Sequence, residues 1–144
     1  MANDTGGADP IDPAAEANNL AKGFYSLSQS VDGFRFAPRN PPLTVTQAAR
    51  LKDESQALDN RAHYFTAQAI GATLDAIQGD LANINTLTAQ AEQQVQNLND
   101  IDEVITTVTS VLSLGTAIAS GNVGNILSAA QALEGLLSSQ SASG

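Results

Sequence analysis

Apolar residues recur at intervals of three and four along most of the chain, the period of an amphipathic helix. Leu20, Phe24, Leu27 and Val31 form the first set. They follow Asp12 and Pro13, a residue suited to cap a helix and one suited to its first turn. This predicts a helix over 13–31. Gly33 and the segment from Ala37 to Pro42, with three prolines in five residues, predict its end. Proline removes a backbone donor and forces its predecessor into extended geometry.

Thr44 and Gln47 stand at capping-box spacing ahead of a second run. Within it Leu58, Ala62, Phe65 and Ala69 form one seam. Ile70, Leu74, Ile77, Leu81, Ile84, Thr88, Ala91, Val95 and Leu98 form another. Both keep the spacing of a coiled coil. The two differ in register by one position at Ile70–Gly71, so a helix must bend there, change partner or use a broad contact face. If unbroken over 45–98 it would be roughly 80 Å long at 1.5 Å per residue. Three shorter helices cannot cover both sides of such a rod. Its polar face is built of amides and hydroxyls, among them Gln68, Asn83, Thr86, Gln90 and Gln94. With no base after Arg61, no ion pair along the helix supports it there. A helix of this kind needs a partner.

Asp100 and Glu103 bracket the start of a third helix, predicted over 101–119. The glycine-rich turn Ser120 to Asn125 separates it from a fourth, over 123–138. The expected fold class is therefore all-α: an elongated helical bundle or coiled coil. One long central helix is joined by a short N-terminal helix and a C-terminal helical hairpin. Residues 12–138 form one domain, with disordered tails at 1–11 and 139–144.

From Val104 to Leu133 the hairpin holds thirty residues without a charge. Ile105, Val108, Val111, Leu112, Gly115 and Ile118 lie on one side of its first helix, with Thr106, Thr109, Ser110, Ser113 and Ser120 opposite. Val123, Ile126, Leu127, Ala130, Leu133 and Leu137 repeat the apolar side on the last helix, opposite Asn125, Ser128, Gln131 and Ser138. Both helices are amphipathic with uncharged polar faces. The sixteen residues from Val104 to Ala119 reach about 24 Å, short of the roughly 30 Å hydrocarbon core of a bilayer. A single membrane crossing is not expected. A core hairpin or a hydroxyl-lined pore would each use both faces.

Charge sharpens this picture. The net charge is −9, and all six Lys and Arg lie before residue 62. The remainder holds seven acids and no base, a surface that repels phosphate and anionic lipid. Nucleic-acid binding is not expected. There is no cysteine, so neither a disulfide nor a thiolate metal site is available. The N-terminal residues lack the basic start and apolar run of a signal peptide, which fits a cytoplasmic protein or export by another route.

Candidate chemistry is sparse. His63, the single histidine, follows Asp59 by one helical turn, with no nucleophile or metal-ligand motif around it. It reads as a surface residue. Asp100, Asp102 and Glu103 lack EF-hand spacing and read as a helix cap. Phe24, Tyr25, Phe34, Phe36, Tyr64 and Phe65 are expected to pack the first helix on the early second one. No catalytic residue, cofactor or metal site is expected. The composition shares a habit with exported helical filament and translocator proteins, without a shared motif. The expected function is non-enzymatic self-assembly, or docking of a helical partner, through the two seams. The alternative is a membrane-active, pore-forming or translocator-like protein using the uncharged hairpin.

Overall fold

The computed structural model describes residues 12–38, 42–97 and 100–143. Asp12 caps α1 (Pro13–Phe36), its carboxylate accepting from the amides of Ala14 and Ala15. The helix passes Gly33 and ends five residues later than the expected Val31. Gly33 alone does not stop it; Pro38 does, by holding Ala37 extended at ψ 137°. Thr44 and Gln47 form the expected capping box at the start of α2 (Val45–Tyr64).

The long central helix is not continuous, which corrects the expected rod. It ends first at Tyr64, where Phe65 leaves helical geometry and Thr66 caps a new helix, α3 (Ala67–Ala76). A 3-10 turn over Gln78–Asp80 then leads into α4 (Leu81–Asn97). The mismatch at Ile70–Gly71 did signal a discontinuity, but the chain turns five residues earlier. Leaving the helix there allows Phe65 to be buried edge-on against Phe24, with ring centroids 5.0 Å apart at 80°. Such an aromatic pair contributes about 0.5–1.5 kcal/mol beyond its buried area.

Asp100 caps α5 (Ile101–Ser120) through the amide of Asp102, and Gly121 ends it in the left-handed region at φ 78°. Asn122 accepts from the amide of Asn125 at the start of α6 (Val123–Ser143). That helix runs past the expected end at Ser138, since no Gly or Pro interrupts 136–143. The all-α class holds: the described residues contain six α-helices, one 3-10 turn and no strand. Residues 1–11, 39–41, 98–99 and 144 lie outside the described residues, and with them the expected N-terminal tail.

Four helices pack as a ring of neighbours, α1 against α2 and α4, and α5 against the same two. Their directions follow from paired contacts. Gly23 meets Thr88, Ser26 meets Glu92 and Ser30 meets Gln96, so α1 and α4 run parallel. Glu54 meets Thr109 and Arg61 meets Gly115, so α2 and α5 also run parallel. Phe24 with Phe65 and Ser28 with Ser55 set α1 antiparallel to α2. Across the ring, Gly115 of α5 faces Phe24 of α1, and a Cβ there would stand 2.5 Å from the ring. The absent side chain lets the diagonal close. At the end where α5 finishes, Thr73 of α3 stands beside Gly121, and α6 lies against α5 and α4.

Candidate functional site

One stripe of α2 combines Leu51 and Leu58, both buried, with Glu54 and Ser55 between them. A turn of helix separates these positions, so all four face the interior. Ser55 satisfies its hydroxyl on α1, donating to the Ser28 carbonyl at 3.2 Å and lying 3.2 Å from the Ser28 hydroxyl. Glu54 has no such partner on α1. Only 6% exposed, it accepts from the Thr109 hydroxyl of α5 at 2.5 Å. Arg50, one turn earlier and half exposed, places Nε 3.5 Å from the same Oε2 and donates from Nη2 to Thr109 at 3.4 Å. The other carboxylate oxygen, Oε1, is buried without a hydrogen-bond partner.

Burial pushes the Glu54 carboxyl above its ordinary range, because the charged form loses water. The Thr109 hydrogen bond and the Arg50 charge oppose that shift without cancelling it. The group can hold or release one proton, and it fixes the rotation of α5 against α2. Sequence reasoning missed it. The signal was present as two polar residues in an apolar stripe, Leu51–Glu54–Ser55–Leu58, which is the register of buried positions.

Thr109 also opens a groove of about 630 Å³ along the junction of α5 and α6. Ser113, Thr116 and Ser120 line it from α5, and Asn125 and Ser128 from α6, over Leu112, Ala117 and Ala129. None of these side chains carries a charge. The two uncharged polar faces of the hairpin thus converge on one surface.

The seam residues sit elsewhere. Leu58, Ala62, Phe65, Ile70, Leu74, Ile77, Leu81, Ile84, Ala91 and Val95 are all buried inside a single chain. Thr88 joins them, its hydroxyl donating to the Ile84 carbonyl and its methyl pressed on Gly23. Ala69 is exposed, and Leu98 lies outside the described residues. The helix breaks fold the seams onto α1 and α5, where burial of each large aliphatic contributes about 1.5–3 kcal/mol. Most of the seam is therefore core.

The hairpin's apolar face is also largely core. Val108, Ile118, Ile126, Leu133 and Leu137 are buried, while Ile105, Leu112, Val123 and Leu127 are half-buried. The buried stripe of α5 is rotated from the expected one, taking in Val104, Thr107 and Leu114. Thr107 enters the core because its hydroxyl donates to the Glu103 carbonyl at 2.8 Å. α5 ends within one residue of the expected 101–119, and by length and composition alone its 20 residues could cross a membrane, as a buried core helix of this length also could.

His63 stands on the surface with its side chain 76% exposed, its Nδ1 2.8 Å from the Asp59 carbonyl oxygen. Of the six aromatic residues, Phe24, Phe34 and Phe65 are buried, whereas Tyr25, Tyr64 and Phe36 are exposed. The expected aromatic packing of α1 on α2 is correspondingly smaller. Among the described residues, no three His, Asp or Glu side chains group as they would to hold a metal ion. Comparison with family models, with curated proteins and with solved structures finds no match.

Proposed function

We propose that the protein acts without catalysis, as a helical self-assembly protein whose contact surface is the groove between α5 and α6. One observation carries this reading: a groove lined only by uncharged side chains on a chain of net charge −9. Copies of so acidic a chain repel one another wherever their charged surfaces meet. Two copies that meet through this groove set uncharged lining residues against each other, with Arg50 beside Thr109 already paired to Glu54. A two-fold arrangement would place the groove of each copy on that of the other, hydroxyls and amides supplying reciprocal hydrogen bonds. The coiled-coil seam has no part in this contact, since most of it lies within the fold.

Light scattering across a concentration series tests it. The native chain is expected at twice the monomer mass or more at high concentration. Ser113→Lys and Ser128→Glu, which introduce opposite charges into the groove, should each return it to monomer while thermal stability is kept. A monomeric native chain at every concentration refutes the proposal.

A second reading, membrane activity, is favoured by the length and apolar composition of α5. To enter lipid, α5 must first withdraw Val104, Val108, Val111 and Ile118 from the ring. Dye release from vesicles at neutral and acid pH is the measurement. Leakage by the native chain supports this reading, and intact vesicles at both pH values exclude it.

A further inference from the structure

The parallel helices α1 and α4 touch at Gly23 and Thr88, where an added Cβ would stand 3.1 Å from the threonine methyl. Their contact continues to Ser30 and Gln96 in the last turn of α4, and Gly33 lies beyond it. Nothing lies within 4 Å of a Cβ built on Gly33. A groove of about 620 Å³ opens here, a size that suits a small organic group. Ser30, Gly33 and Phe34 line it from α1, Glu92 and Gln96 from α4, and Pro38 from the segment after α1.

Glu92 is the one charged group lining this groove. Its Oε2 accepts from Ser26 at 2.6 Å, from Ser30 at 3.3 Å and from Gln96 Nε2 at 3.5 Å. Gln96 Nε2 also donates to the Ser30 hydroxyl at 3.3 Å. These donors orient the carboxylate, but all are neutral. No Lys, Arg or His among the described residues forms an ion pair with Glu92. Arg35, on the same stretch of α1, is held instead by Asp32 at 3.2 Å and lies 4.1 Å over the Phe36 ring. No base follows Arg61 in the sequence. The carboxylate is thus aimed and half-buried, with no cationic partner among the described residues, beside the apolar edges of Phe34 and Pro38.

Such a site matches a cation carried on an alkyl stem. The stem would lie along Phe34 and Pro38, and its N–H groups would donate to the Glu92 oxygen not engaged by serine. A charge-assisted hydrogen bond of this kind is about twice as strong as a neutral one. We propose that the α1–α4 groove binds an alkyl-guanidinium or alkyl-ammonium group, with Glu92 as the counter-charge. The group could come from a free amine or from an arginine or lysine side chain of another protein.

Amide NMR of the full chain, titrated with N-butylguanidinium and separately with acetyl-Gly-Arg-Gly-amide, tests this. Saturable shifts are expected at Ser30, Gly33 and Gln96. Glu92→Gln keeps the shape and removes the charge, and should weaken binding about tenfold or more. Gly33→Leu fills the groove without touching the carboxylate and should also abolish the shifts, which keeps the test decisive if Glu92→Gln disturbs the fold. Binding of butylguanidinium alone identifies a free amine as the ligand class, and tighter binding of the peptide identifies a protein side chain. Absence of saturable shifts with both probes, or equal affinity in both variants, overturns the proposal.

Discussion

The Thr109 hydroxyl of α5 lies 2.5 Å from the Glu54 carboxylate of α2, with Arg50 beside both. The serine pair on the same stripe ties α2 to α1, and Glu54 with Arg50 ties α2 to α5. Its cost and its benefit depend on protonation. Burial raises the folded-state pKa above the unfolded value. The stabilising contribution of the protonated form is then complete below the unfolded pKa and is lost as pH rises through the folded one.

Glu54→Gln should therefore raise or preserve the melting temperature at pH 7 and flatten its dependence on pH. Glutamine keeps the shape and an oxygen for the Thr109 hydroxyl but does not carry the charge that burial penalises, and the half-exposed Arg50 it leaves behind remains solvated. Arg50→Ala alone should destabilise at pH 7 and have little effect in the Glu54→Gln background. Thermal melts of the two single variants and the double variant, from pH 4.5 to 8, measure this coupling. A loss of stability in Glu54→Gln at pH 7 larger than at pH 4.5 would show that the ionised carboxylate stabilises the fold.

The diagonal of the ring offers a steric test. Gly115→Ala would drive a Cβ to 2.5 Å from Phe24 Cε2 and 3.1 Å from Cζ, in a fully buried ring already held edge-on by Phe65. Overpacking of this kind should destabilise by about 1–3 kcal/mol. Gly33→Ala, at an exposed helical position with open space, should stabilise by about 0.5–1 kcal/mol. Denaturant titration of the two variants should show shifts of opposite sign.

Ile84 is fully buried and Leu81 is 3% exposed within a single chain. Aspartate at either position should unfold the monomer, since an unpaired buried carboxylate costs several kcal/mol. Circular dichroism should show lost helicity or a much lower melting temperature. A folded variant with only its mass reduced would place these residues between copies instead.

The polar face of α5 should divide in two. Ser113 is exposed in the groove, so Ser113→Lys should change stability by less than about 0.5 kcal/mol. Thr109→Lys removes the hydroxyl that Glu54 accepts from and brings a second cation to Arg50, so it should destabilise relative to Ser113→Lys. Val108→Lys, in the core, should be the most damaging of the three. The ranking is read from melting temperatures.

What the sequence by itself determined is local. Helical period, the caps at Asp12, Thr44 and Asp100, the glycine turn at Gly121 and the identity of most core positions follow from residues within a turn or two of one another. Tertiary structure decided where the long helix ends, because Phe65 turns inward to reach Phe24, forty-one residues away. It decided that the seams lie within one chain, since only the packing of α1 and α5 shows what covers them. It also decided the meaning of Glu54. A carboxylate in an apolar stripe marks a buried polar position in the sequence, but its hydrogen-bond donor lies fifty-five residues on, in another helix. The same holds for both grooves. Each forms where two helices meet, and periodicity shows the face a helix buries but not the neighbour it is set against.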